Sequence, residues 1–159
     1  MSKLTHLTEQ GQVSMVDVCA KPETIRTASA LACVYVGHEV LVLLKEEKVK
    51  KGDVWAAVRI AGIQAAKKTS ELIPLCHLLN LSSVTVDISI DEVMAHVNIQ
   101  STCRLTGRTG VEMEALTSVS VAALTLYDMC KSLNKAIVIK EIKLLEKTGG
   151  KSGDWVHDR

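Results

Sequence analysis

The chain predicts an α+β fold, an antiparallel sheet of about four strands with helices packed on one face. Three features carry that prediction. Two neighbouring stretches, 83–90 and 95–103, alternate apolar with polar residues across a short turn, as a half-buried hairpin does. A long helical stretch, apolar almost all round, follows them. A β-branched stretch stands on either side of this block and supplies two more strands.

Thr27 to Val36 (TASALACVYV) is small and β-branched enough for a first strand. His38 to Glu47 and Asp53 to Leu72 read as helices separated by the basic turn KVKKGD, with Asp53 as N-cap of the second. Ser83 to Ile90 puts Val84, Val86, Ile88 and Ile90 on one side, and Ala95, Val97, Ile99 and Cys103 repeat the pattern after the turn Asp91–Glu92. Thr109 to Glu112 (TGVE) has capping-box form and opens a helix reaching about Leu133. Ala136 to Leu145 returns as the last strand. Strand, helices, strand, strand, helix, strand is the order of the ferredoxin-like split βαβ plan, here with an extra helix.

With 159 residues, 47% of them apolar, the chain suits a single domain spanning 1–159. Its expected loose ends are about 1–12 and the Gly-rich stretch 149–159. There is no apolar run of about 18 residues, and MSKLTHLTEQ lacks the apolar core of a signal peptide, so neither a membrane nor export is indicated. Five cysteines without CxxC spacing suit reduced thiols in the cytoplasm. A net charge of +1, no Phe, two Trp and two Tyr supply neither the basic field nor the stacking platform of a nucleic-acid binder.

The stretch IPLCHLLNLSS sets Cys76 beside His77 between apolar neighbours. A structural zinc site needs spaced ligand pairs, and no second pair exists, since His6, His38, His96 and His157 are isolated. A thiol nucleophile needs a base pointed at it, and neighbours in extended chain point apart. Alternation instead turns Cys76 inward and His77 outward, either into a cleft where the imidazole can bind substrate or move protons, or simply to a satisfied hydrogen bond. Lys48, Lys50, Lys51, Arg59, Lys67 and Lys68 read mostly as solvated charge, but Lys51 precedes Gly52-Asp53 at a helix start that favours anions. Gly150-Lys151-Ser152 is no P-loop, because Leu145 stands where the motif needs glycine.

In the long helix, Glu112, Glu114, Asp128 and Lys131 interrupt an otherwise apolar surface. Asp128 and Lys131, spaced i, i+3, read either as a plain intrahelical ion pair or as an acid/base couple tuned by burial and mutual charge. Glu114 and Asp128 are separated by roughly 21 Å of helix, too far for one compact site on a single copy. If both ends serve one kind of site, a second subunit brings one of them.

The segments MVDV (15–18), 51–77, CRLTGRTGVEMEALTSVSVAALTLYDMCK (103–131) and KTGGKSGD (147–154) together resemble the cyclic pyranopterin monophosphate synthases, the MoaC family of molybdenum-cofactor biosynthesis. The resemblance implies a ferredoxin-like subunit in a homohexamer, a trimer of dimers with active sites at dimer interfaces. It implies a purine-derived triphosphate substrate, 3′,8-cyclo-7,8-dihydro-GTP, and as products cyclic pyranopterin monophosphate and pyrophosphate. It assigns acid/base work to Lys51, Asp128 and Lys131, with His77 beside them. Leu75, Cys76, His77, Met113 and Glu114, with Glu112 nearby, would hold the substrate, and Asp17, Arg26, Lys67 and Lys147 would complete the site, the cations on the triphosphate. The family usually reads Cys-His-Pro where this chain has Leu78, which frees the backbone at that position. The chemistry calls for proton donors, acceptors and cations but no redox cofactor, and leaves room for a divalent metal bridging the phosphates. The competing readings are a non-catalytic ferredoxin-like module that binds a small ligand and a structural member of the same hexamer.

Overall fold

The computed structural model describes residues 8, 10–151 and 153–158. Its elements run β1 (Thr24–Tyr35), α1 (His38–Lys45), α2 (Val54–Lys67), α3 (Thr69–Leu72), β2 (Ser83–Asp91), β3 (His96–Gly107), α4 (Glu112–Cys130), β4 (Val138–Thr148) and β5 (Trp155–Val156). The sheet is ordered β2-β3-β1-β4-β5, and every neighbouring pair is antiparallel. The first four strands reproduce the ferredoxin-like plan, with the main helices on one face and α1 as the extra helix.

Alternation decides which face each strand buries. Ala28, Ala30, Ala32 and Val34 of β1 and Val97, Ile99, Cys103 and Leu105 of β3 turn under the helices and are buried. Small residues on β1 let α4 lie close above it, where Ala115, Val119, Ala122, Ala123 and Leu126 fill the layer. α2 packs against α4 and β2. At their crossing a Cβ on Gly62 would stand 3.1 Å from both Ser118 Oγ and Val86 Cγ2, so a larger residue would have to push its neighbours aside.

Several boundaries differ from the sequence reading. Asp53 does cap α2, its Oδ1 accepting from the Ala56 N–H at 2.9 Å. The helix expected to run on to Leu72 breaks at Lys68, and the Thr69 hydroxyl there donates to the carbonyls of Ala65 and Ala66 at the end of α2. Ala95 belongs to the turn between β2 and β3, with φ 53°, rather than to the strand. The capping box at Thr109–Glu112 does not form: α4 starts at Glu112 with Val111 as N-cap and no side-chain cap. The Glu112 carboxylate turns instead to Lys147 Nζ, 3.0 Å away. α4 ends at Cys130, and Asn134 fastens the chain beyond it by donating to the Val36 carbonyl at 3.1 Å. The Gly-rich tail, expected to be loose, adds β5, with the His157 N–H donating to the Leu145 carbonyl at 2.8 Å. The expected loose start lies largely outside the described residues, as does His6.

Candidate active site

The two ends of α4 each carry a cluster of chemistry-bearing side chains. At the C-terminal end, Lys131 Nζ lies 2.7 Å from Asp128 Oδ1, and Lys51, brought in by the loop before α2, lies 3.5 Å from Asp128 Oδ2. Lys51 Nζ also donates to the Asp128 backbone carbonyl at 2.6 Å, one of the acceptors that the helix end leaves free. The hydrogen bond and charge of Lys131, reinforced by Lys51, hold the Asp128 carboxyl below the usual carboxylate range, and Asp128 in turn raises Lys131. Both side chains are exposed, so mutual charge rather than burial tunes them. The anion favoured by the start of α2 is the Asp53 carboxylate itself, which takes the place a phosphate would have had.

At the N-terminal end a cavity of about 440 Å³ is lined by Leu75, Cys76, His77, Glu112, Met113 and Glu114 together with Val16, Val18 and Lys21. Glu114 is 4% exposed. Burial, with the charge of Glu112 added, pushes its carboxyl up to about 7. His77 Nε2 donates to the Val16 carbonyl at 2.8 Å, which leaves Nδ1 as the nitrogen able to take a proton. His77 is therefore not beside Lys51, Asp128 and Lys131 within one chain: it sits at the opposite end of α4. Cys76 does not turn into the core either. Residues 73–75 form a turn instead of extended chain, Cys76 N donates to the Ile73 carbonyl at 3.1 Å, and Cys76 and His77 line the same cavity. Burial, followed by the charge of Glu114, raises the Cys76 thiol and disfavours the nucleophilic thiolate.

A second cavity of about 720 Å³ adjoins this one and shares Lys21, Thr109, Gly110 and Glu112 with it. Arg26 and Lys147 line it, and so do three cations the sequence reading did not select, Lys21, Arg108 and Lys151. Arg108 lies inside the quoted 103–131 segment, and Lys151 inside the rejected P-loop, where neither showed a spacing of its own. Arg26 Nε donates to the Gly107 carbonyl at 3.0 Å, aiming the rest of its guanidinium along the wall. Thr24, also in the wall, has a buried hydroxyl without a partner among the described residues. Asp17 has its carboxylate tied to the Cys19 N–H at 2.8 Å, which holds its carboxyl low. Lys67 is exposed in the last turn of α2 and lines neither cavity.

The model of the MoaC family matches residues 15–150. The chain belongs to the MoaC family. That match covers every candidate residue named above except Lys151, and it places the protein in molybdenum-cofactor biosynthesis. Among the described residues no group of three or more His, Cys, Asp or Glu side chains is arranged to hold a metal ion, and no helix is long and apolar enough to cross a membrane. The arrangement divides into a carboxylate paired with two ammonium groups at one end of α4 and a cation-lined cavity, with the buried Glu114 carboxyl in the cavity adjoining it, at the other.

Proposed function

We propose that the chain is a cyclic pyranopterin monophosphate synthase, a phosphorus–oxygen lyase that converts (8S)-3′,8-cyclo-7,8-dihydro-GTP to cyclic pyranopterin monophosphate and pyrophosphate. The observation that carries this reading is the pairing of Asp128 with both Lys51 and Lys131, two ammonium groups and one carboxylate within reach of one another. Opening and rearranging a purine-derived ring needs protons removed and returned in turn, and this cluster holds both an acceptor, Asp128 Oδ1/Oδ2, and donors at Nζ. The cation-lined cavity suits the triphosphate. As a sugar oxygen closes on the α-phosphorus, the bond to the β-phosphate breaks and negative charge collects on the departing pyrophosphate, where Arg26, Lys147 and Arg108 can meet it. Glu114, its carboxyl raised to about 7, can in its protonated form donate a hydrogen bond or a proton to the ring held by Leu75–His77 and Met113.

Roughly 21 Å of helix separates the two clusters, so a complete site needs the C-terminal end of one copy against the N-terminal end of another. This separation is the reasoning for sites shared between two subunits at a dimer interface, and the homohexamer, a trimer of dimers, is what the likeness to the MoaC family implies. Large apolar side chains left 43–59% exposed, Ile60 on α2, Leu124 on α4 and Ile142 on β4, support such an assembly. The deciding experiment is incubation with the cyclised GTP precursor, following pyrophosphate release and the appearance of an oxidisable pterin. Binding of the precursor with neither product would leave the non-catalytic module as the better reading.

A further inference from the structure

The stretch 147–154 contributes Lys147 and Lys151 to the cation-lined cavity, while the aspartate that closes it has no part in the chemistry above. We propose that Asp154 is a positioning residue, whose carboxylate fixes the Gly149–Gly150 corner and thereby holds Arg26 and the cavity wall in shape for a polyphosphate. The proposal rests on the functional reading just given, since it assigns that cavity to the phosphate chain of the substrate.

The chain leaves β4 at Thr148 and returns at Trp155, which pairs with Lys147. Between them Gly149 and Gly150 both adopt positive φ, 85° and 84°. A Cβ on Gly149 would run into the Ile25 carbonyl oxygen, one on Gly150 would push the Arg26 guanidinium aside, and the positive φ strains a side chain at either position. The corner is thus pressed against β1 and lies directly behind the group that faces the cavity. Asp154 Oδ1 accepts from the Gly149 N–H at 3.0 Å and closes the return. Glycines in such a conformation lose more freedom on ordering than any other residue, so this one fixed bond matters to the corner's shape. A negative charge beside a cavity lined by Lys21, Arg26, Arg108, Lys147 and Lys151 would by itself weaken anion binding. The hydrogen bond supplies a reason for a carboxylate there that the field does not.

Asp154→Asn and Asp154→Ala remove the same charge, but only the amide oxygen of Asn can still accept from Gly149. Their comparison therefore isolates the hydrogen bond. Calorimetric titration of the full chain with inorganic tripolyphosphate should show Asp154→Ala binding about three- to tenfold more weakly than Asp154→Asn, the range of one hydrogen bond's net contribution. KM for the cyclised GTP precursor should rise in the same order and kcat should fall with it, because Arg26 meets the charge that collects on the departing pyrophosphate. Equal affinity in the two variants, or no tripolyphosphate binding by the parent protein, would overturn the proposal. If the parent fails to turn over the precursor while the two variants still differ in tripolyphosphate affinity, the functional reading falls and the positioning role stands.

Discussion

Glu114→Gln should remove most of a pH-dependent cost that the fold now carries. In the fold the Glu114 carboxyl is raised from the ordinary 4.5 to about 7, chiefly by burial. Between those two pH values the folded chain holds a proton that the unfolded chain has released, so stability falls as pH rises through this window. At about 1.4 kcal/mol per pH unit, the cost reaches about 3 kcal/mol once the folded carboxyl has ionised. At pH 5 the protonated acid and the amide are near equals in shape and charge, and the variant should melt close to the parent. At pH 8 the parent should have lost about 3 kcal/mol that the variant keeps, a gap of roughly 6–12 °C at 2–4 °C per kcal/mol for a chain of this length. Calorimetric melts of both proteins at pH 5, 6, 7 and 8 measure that gap directly. A difference between the two that stays constant across the series would refute the argument, because it would mean that Glu114 titrates alike in the folded and unfolded chain.

Asp128→Asn keeps the shape but loses the charge that both lysines face, and it should leave the fold intact while turnover drops about 10²- to 10⁴-fold. Lys51→Ala and Lys131→Ala should fall comparably, whereas Lys140→Ala, which removes an ammonium 5.5 Å above the Tyr35 ring, should turn over like the parent; equal effects at all three lysines would mark the cluster as solvated charge. Because Lys51 and Asp128 meet within one chain, mixed and reassembled Lys51→Ala and Asp128→Asn subunits should stay inactive, while Asp128→Asn mixed with Glu114→Gln should recover roughly a quarter of normal activity through complete sites in heterodimers. No recovery from any pair spanning the two ends of α4 would refute a site shared between subunits. Asp53→Ala should cost about 1 kcal/mol in denaturant unfolding by removing the cap on Ala56 N–H, and an unchanged midpoint would mean that water replaces the carboxylate without loss.

The sheet was legible because alternation is a local signal: Val84, Val86, Ile88 and Ile90 announce a half-buried strand whatever lies above them. The Asp53 cap was legible for the same reason, since a side chain reaching three residues along its own helix needs no tertiary partner. Where a distant partner competes, the local signal fails. Thr109–Glu112 has the letters of a capping box, but Lys147, from β4, takes the carboxylate that the box would use. Cys76 and His77 alternate only if the chain is extended, and the turn that begins at Ile73 ends that premise. The i, i+3 spacing put Asp128 beside Lys131, yet nothing in the spacing told that the pair would be exposed and Glu114 buried. The arrival of Lys51 at that pair, 77 residues before Asp128 in the chain, is a fact of topology, set by α2 packing along α4. The cations Arg108 and Lys151 converge on Arg26 only after β1 has paired with β3 on one side and with β4 on the other.

With a cluster at each end, α4 acts as a ruler as well as a scaffold. One residue inserted between Glu114 and Asp128 would advance the far end by about 1.5 Å and turn it by about 100°. Asp128 would then swing off Lys51 while Glu114 kept its place in the cavity, and no adjustment of neighbouring rotamers spans such a rotation. Length changes can be absorbed in the turn at 92–95, where no candidate site residue lies, but not within this helix. The spacing of fourteen between Glu114 and Asp128 is thus a dimension of the site, as binding on the sequence as the identity of either residue.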